Sequence, residues 1–251
     1  MRLAIIGGTG FYQLPGYTHR QDHQLSTPYG DGSGVIAEYD AGRHQVLFMP
    51  RHGGSHSIAP HKINYRANIW SLQQLSVDAV LAVNAVGGIA REATAGSLST
   101  PDQIIDYSWG REHTFCEDPQ PLQHVDFTAP YDRHLREYLL AAAEHSGIEL
   151  TDGGVYGCTQ GPRLESAAEI IRLERDGCDV VGMTGMPEAG LAREAGLPYA
   201  SLCLVVNPAA GKSDQLITMQ AIGQVLDSGM DSVRALLQVL VSQLPLDWQP
   251  E

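Results

Sequence analysis

The chain has 251 residues, 43% hydrophobic and 18% charged, which supplies a sizeable core and excludes an intrinsically disordered protein. Its 29 acidic and 16 basic residues give a formal net charge of −13, so it lacks the basic footprint of a nonspecific nucleic-acid binder. An anionic small molecule remains compatible, because a local Arg, His or backbone site overcomes a distant negative field.

The first strand is predicted over Leu3–Ile6 and runs into Gly7-Gly8-Thr9-Gly10. Glycines there let backbone N–H groups approach a phosphate, with Thr9 adding a hydroxyl; a simple turn is the alternative. A dinucleotide fingerprint fails, because its third glycine falls on Gln13, and no acidic residue closes a βαβ unit. Strands follow at Val35–Tyr39 and Gln45–Met49, the second ending in Pro50-Arg51-His52-Gly53-Gly54-Ser55-His56. Arg51 offers a planar fork to anion oxygens and His52 a further donor, at the strand end where α/β sheets place ligand groups. Zinc at His52, His56 and His61 lacks nearby carboxylates or thiols.

A helix is predicted over Tyr65–Leu75, then a strand over Ala79–Val83 and the small-residue turn Asn84-Ala85-Val86-Gly87-Gly88. Helices at Arg133–His145 and Ser166–Asp176 flank the segment Gln160-Gly161-Pro162-Arg163-Leu164-Glu165. A strand at Cys178–Val181 leads into Met183-Thr184, ahead of a helix opened by Pro187 and running to Ala195. Thr184 can cap that helix or face an anion, and Met183 can underlie a sugar or fill the core. The run Tyr199–Val206 ends at Asn207, and a last helix spans Thr218–Leu240. Apolar strands alternating with helices predict an α/β fold with a mixed, largely parallel sheet flanked by helices. One domain is expected over 1–244, with a frayed tail over 245–251.

Cys116, Cys158, Cys178 and Cys203 show no paired spacing, which favours reduced thiols and no structural metal. The N-terminal run is too short for a signal-peptide core, and Ala79–Ala90 too short to span a bilayer. The expectation is a soluble cytoplasmic protein with no membrane partner.

Glu165 and Asn207 are the most informative pair. A carboxylate accepts and an amide both donates and accepts, so together they fit N1–H, O6 and N7 of a 6-oxopurine. Adenine, whose N1 is an acceptor, fits poorly.

The ordered set Thr9, Arg51-His52, Asn84-Ala85, Glu165, Met183-Thr184 and Asn207 resembles the trimeric purine nucleoside phosphorylase and methylthioadenosine phosphorylase family over nearly the whole chain, from Ile5 to about Leu240. Pro50-Arg51-His52-Gly53, His56, Pro60, Lys62, Asn64-Tyr65, Gly161-Pro162-Arg163 and Pro187-Glu188 look most like the methylthio branch. The resemblance implies the nucleoside phosphorylase fold and phosphorolysis, with inorganic phosphate as co-substrate and no metal or organic cofactor. It places Thr9, Arg51, His52, Asn84, Ala85 and Thr184 around phosphate and Met183 against the ribose. Leu164, Glu165, Asn207, Ala209, Met219 and Ile222 would line the nucleoside site, with catalytic roles for Asn207, Glu165 and His52. It also implies a homotrimer in which His124 reaches a neighbour's site; an exposed loop histidine is the alternative.

The departures discriminate further. The adenine-specific branch carries Ser at the place of Glu165 and Asp at those of Asn207 and Ala209. Inosine-specific relatives bond the 5′-hydroxyl with a His where Met219 aligns; an ordinary core position on an amphipathic helix is the alternative for Met219 and Ile222. The expected substrate is a 6-oxopurine nucleoside with a 5′-methylthio group. The alternatives are a general inosine/guanosine phosphorylase, a methylthioadenosine phosphorylase and a non-catalytic purine-nucleoside binder.

Overall fold

β1 (Arg2–Gly7) sends Leu3 and Ile5 to one face of the sheet and Ala4 and Ile6 to the other, and all four are fully buried. A strand apolar on both faces needs a layer on each side, and the helices supply it. The computed structural model describes residues 1–11, 14, 16–116 and 124–248; Gln13, Gln123 and residues 249–251 lie outside that description.

β1 pairs in parallel with β4 (His44–Pro50) and with β5 (Ala79–Gly88), and β5 pairs in parallel with β11 (Tyr199–Pro208). β2 (Thr18–His23) and β3 (Ile36–Ala41) extend the β4 edge by antiparallel pairing. On the other side, β10 (Val180–Gly182) pairs antiparallel with the end of β5 and parallel with β9 (Val155–Cys158), which pairs with β7 (Gln103–Asp106). β6 (Leu98–Thr100) joins β11 to β8 (Leu150–Asp152). The sheet is therefore mixed and mostly parallel, as expected.

α2 (Arg133–Ser146) and α5 (Met219–Gln243) cover the face carrying Leu3, Ile5, Leu81, Leu202 and Leu204. α1 (Tyr65–Gln74) and α4 (Gly185–Glu194) cover the face carrying Ala4, Ile6, Leu47 and Val80. Asp132 caps α2 by accepting from the Leu135 N–H, and Gly147 ends it in the left-handed conformation. α3 (Ala167–Arg175) opens with a capping box between Ser166 and Glu169. The five α-helices lie within three residues of their expected ends.

Three expectations change. Residues 84–88, expected as a turn, continue β5, because β11 and β10 pair with them. β2, β6, β7, β8 and β9 were not foreseen: β2 is mainly polar and exposed, and the others have only three or four residues, so pairing rather than periodicity defines them. The described part of the tail is not detached, because Trp248 packs beside Tyr138 with ring centroids 5.9 Å apart.

Candidate active site

The ends of β1, β4, β5, β10 and β11 open onto one cavity of about 270 Å³. Its lining includes Thr9, Arg51, His52, Ala85, Leu164, Glu165, Met183, Thr184, Asn207, Ala209, Met219 and Ile222. Residues separated by more than 200 positions in sequence thus meet at adjacent strand ends, where parallel register brings their turns together. A more open groove of about 460 Å³ lies between α2 and the C-terminal segment, lined by His134, Tyr138 and Trp248 among others, and none of these turns reaches it.

Gly8 lines the cavity at the β1 turn, and a Cβ there would stand 2.6 Å from the Val83 carbonyl oxygen and 3.0 Å from Arg51 Nη1. Only glycine permits that approach, which keeps the β1 turn close to the arginine. The Arg51 guanidinium is not a free fork: Nε and Nη2 donate to Glu188 at 2.7 and 2.8 Å, and Nη1 donates to the Val83 carbonyl at 3.1 Å. Arg51 and Glu188 are fully buried, so the fork expected for phosphate oxygens is largely committed to a carboxylate. The N–H groups left on Nη1 and Nη2 are those available to an anion.

His52 Nδ1 lies 2.8 Å from the Ile58 carbonyl, which can only accept, so Nδ1 carries the proton and Nε2 of the neutral ring is an acceptor. Burial pushes its pKa down to about 4, with neighbouring Arg51 and His56 acting in the same direction against the stabilising bond to Ile58. His52 is therefore an acceptor near neutral pH, and not the extra donor expected from sequence. His56, its ring tilted against that of His52 with centroids 4.6 Å apart and its backbone at a left-handed φ of 53°, also lines the cavity. Among the described residues, no group of His, Cys, Asp or Glu converges as metal ligands.

Asn84 does not line the cavity. It is buried behind Thr184, whose Oγ1 donates to Asn84 Oδ1 at 3.0 Å while Asn84 Nδ2 donates to Ser201 Oγ at 2.7 Å. In place of the direct phosphate contact expected of it, Asn84 supports Thr184, which does line the cavity. Thr184 makes no side-chain cap to α4, so the capping alternative does not hold; regular helix begins only beyond Met186, whose φ and ψ are −118° and 141°.

At the base end, β11 carries a bulge between Val205 and Asn207, which re-aims the strand as it leaves the sheet. Asn207 Nδ2 donates to the Pro208 carbonyl at 2.7 Å, leaving one N–H and Oδ1 for a ligand. Glu165 Oε1 accepts from Thr159 Oγ1 at 2.6 Å. Met183 lies against Gly161, where φ is +61° and a Cβ would stand 2.4 Å from the Met183 sulfur. Ile222 is both buried core and cavity wall, whereas Met219 is 73% exposed at the mouth, which removes the core alternative for Met219. Leu164 is 44% exposed there, and His124 is exposed outside the lining of this chain's cavity.

No motif or spacing in the sequence marks Arg111. It is nearly buried and donates to the carbonyls of Thr159, Gln160, Met183 and Met186 and to Gln160 Oε1. It braces the turn leading to Glu165 against the turn carrying Met183 and Thr184. Glu188, quoted only as part of a motif, emerges as the partner of Arg51. Nothing in sequence spacing links residues 137 positions apart; only burial of an arginine demands such a partner.

One cavity lined by Arg51, His52 and Thr184 together with Glu165, Asn207 and Met183 suits an enzyme of the nucleoside phosphorylase class. The chain belongs to the Phosphorylase superfamily, whose sequence model matches residues 2–242. It is 55% identical over 240 residues to the probable S-methyl-5′-thioinosine phosphorylase of Pseudomonas syringae pv. tomato, covering 95% of this chain and 98% of that one. It is 40% identical over 250 residues to the 6-oxopurine nucleoside phosphorylase of Pyrococcus furiosus, covering 97% and 93%. Its fold matches methylthioadenosine phosphorylase from Schistosoma mansoni in complex with adenine, with a TM-score of 0.92 at 30% identity over 96% of this chain and 91% of the other.

Proposed function

We propose that the protein cleaves S-methyl-5′-thioinosine with inorganic phosphate, giving hypoxanthine and 5-methylthioribose 1-phosphate. The observation that carries this reading is the placement of Glu165, Asn207 and Ala209 on one cavity with Thr9, Arg51, His52 and Thr184. A carboxylate and an amide accept and donate to a 6-oxopurine edge, while Ala209 brings no acid to an exocyclic amine. The 55% identical relative bears the same activity in its name.

The C1′–N9 bond lengthens and its electron pair leaves with the purine, while the anomeric carbon gains positive character. A phosphate oxygen enters from the opposite face and forms the new C1′–O bond. Phosphate charge next to the cation-like centre and fixed geometry supply much of the acceleration. Asn207 donates its free N–H to N7 or O6 as negative charge builds on the base, and Glu165 accepts N1–H. At the anion end, the heavy-atom positions fit either orientation of the Asn84 amide. With Nδ2 turned to Thr184, the Thr184 hydroxyl is released to donate to phosphate and Ser201 donates to Oδ1. His52 Nε2 accepts a hydrogen bond from the O–H of a protonated phosphate oxygen, and the departing purine anion takes a proton from solvent to become hypoxanthine. No metal or organic cofactor is assigned a role.

Met219 and Ile222 form an apolar wall for the methylthio group. A 5′-hydroxyl buried there without a partner costs about 1–3 kcal/mol, one to two decades in specificity. Because Met219 is 73% exposed in the single chain, a neighbouring subunit is assigned the closure of that wall. A homotrimer with His124 reaching the adjacent site is the arrangement proposed. The exposure of Met219 also favours the second reading, a broader inosine/guanosine phosphorylase with an open 5′ end. A cytoplasmic location is the one proposed; no disulfide joins the described cysteines, and no described helix is long and apolar enough to cross a membrane.

Incubation of methylthioinosine with and without phosphate tests the reaction. Phosphate-dependent release of hypoxanthine in step with a sugar 1-phosphate is expected. Binding without release identifies a non-catalytic nucleoside binder.

A further inference from the structure

Glu165 is held from both sides. On its C-terminal side Ser166 caps α3, where the Glu169 carboxylate accepts from both the Ser166 N–H and the Arg163 guanidinium. On its N-terminal side the chain leaves β9 through Thr159, whose N–H donates to the Gly182 carbonyl at 2.8 Å. The backbone around Glu165 is therefore set by secondary structure. A glutamate side chain still has three rotatable bonds, and their freedom opposes a single presentation of the carboxylate.

One described contact removes that freedom. Thr159 Oγ1 donates to Glu165 Oε1 at 2.6 Å, and the only other acceptor described for this hydroxyl is the Gly182 carbonyl at 3.3 Å. A hydroxyl has one proton, and the shorter, charge-assisted bond claims it. Threonine is β-branched and stiff about χ1, so the hydroxyl is a fixed point. With Oε1 anchored, Oε2 is left for an N–H on the ligand.

We infer that Thr159 is a specificity-determining positioning residue, which fixes Glu165 through Oε1 so that Oε2 meets the ring N–H of a 6-oxopurine. The inference rests on the proposed function, in which Glu165 accepts N1–H. Thr159 acts through Glu165 and touches the base in no step. It serves the base end alone, since the anion end is built from other turns.

The test uses the full-length enzyme with Thr159→Val, which keeps the branched shape and removes the hydroxyl, Thr159→Ser, which restores it, and Glu165→Gln as a control. Steady-state kinetics with methylthioinosine give KM for nucleoside and for phosphate separately. For Thr159→Val the expected result is a rise of about tenfold in nucleoside KM, with phosphate KM unchanged, since one hydrogen bond to a charged group is lost. Thr159→Ser is expected to recover to within about threefold of the parent, because the same bond re-forms with a less restricted rotor. An unchanged nucleoside KM in Thr159→Val, a parallel rise in phosphate KM, or no recovery in Thr159→Ser overturns the inference. If Glu165→Gln weakens nucleoside binding while Thr159→Val does not, Thr159 fails and the functional reading stands. If Glu165→Gln leaves nucleoside KM unchanged, both fail.

Discussion

Arg51 and Glu188 form a two-pronged ion pair sealed inside the protein, with N–O distances of 2.7 and 2.8 Å, and Tyr199 donates its hydroxyl to the same carboxylate at 2.9 Å. The pair fixes the arginine in the wall of the cavity and offsets much of its charge. Glu188→Ala strands a buried guanidinium, and a loss of about 3–5 kcal/mol is expected in urea denaturation, as for a broken buried pair. A loss below about 1 kcal/mol would show that the guanidinium finds water or another acceptor.

His52 gives a pH signature whose sign follows from its position. The unfolded chain takes up a proton on this imidazole near pH 6.5, while burial delays uptake in the folded protein to about 4. Stability associated with neutral His52 is complete above 6.5 and is lost as pH falls from 6.5 towards 4. NMR titration of the His52 ring is expected to give a midpoint near 4 in the ligand-free enzyme. A midpoint near 6.5 contradicts the buried, neutral assignment.

Asn207 sits past the bulge of β11 with one N–H committed to Pro208. If the other stabilises the departing base, Asn207→Ala slows the chemical step by about 10²–10³, the range for removal of one donor to developing charge. Phosphate affinity is expected to stay within about threefold, because an alanine leaves the anion-end donors in place. Single-turnover kinetics separate the two effects, and an unchanged chemical step removes Asn207 from the leaving-group role.

Much of the fold was legible because apolar strands covered on both faces and helices with clear caps carry their own signals. Leu3–Ile6 and Tyr199–Val206 read as buried strands, and all five helices were found near their ends. β2 and the short strands around the base end were not legible, because neighbours rather than alternation hold them. In the site, strand-end turns led to Thr9, Arg51, Ala85, Thr184 and Asn207, and all line the cavity. Long-range partners were hidden: Glu188 for Arg51, Asn84 for Thr184, Arg111 for two turns and Thr159 for Glu165. Their roles depend on which buried donor meets which acceptor, and a linear sequence does not record it.

Met219 offers the simplest test of the 5′ end. It is exposed at the first turn of α5, so Met219→His carries little stability cost. The new imidazole supplies a partner for a 5′-hydroxyl and removes an apolar contact from a methylthio group. The ratio of kcat/KM for inosine over methylthioinosine is expected to rise about 10–100-fold, matching one satisfied hydroxyl. No change in that ratio places Met219 away from the 5′ group.

The base preference decides the central claim. Phosphorolysis of methylthioinosine, methylthioadenosine, inosine and guanosine should be compared by kcat/KM with the same enzyme in one assay. With Glu165 and Asn207 reading the purine edge, methylthioinosine is expected to lead, and methylthioadenosine to trail by at least about tenfold, the cost of one mispaired edge contact. A clear preference for methylthioadenosine contradicts the assignment of those two residues.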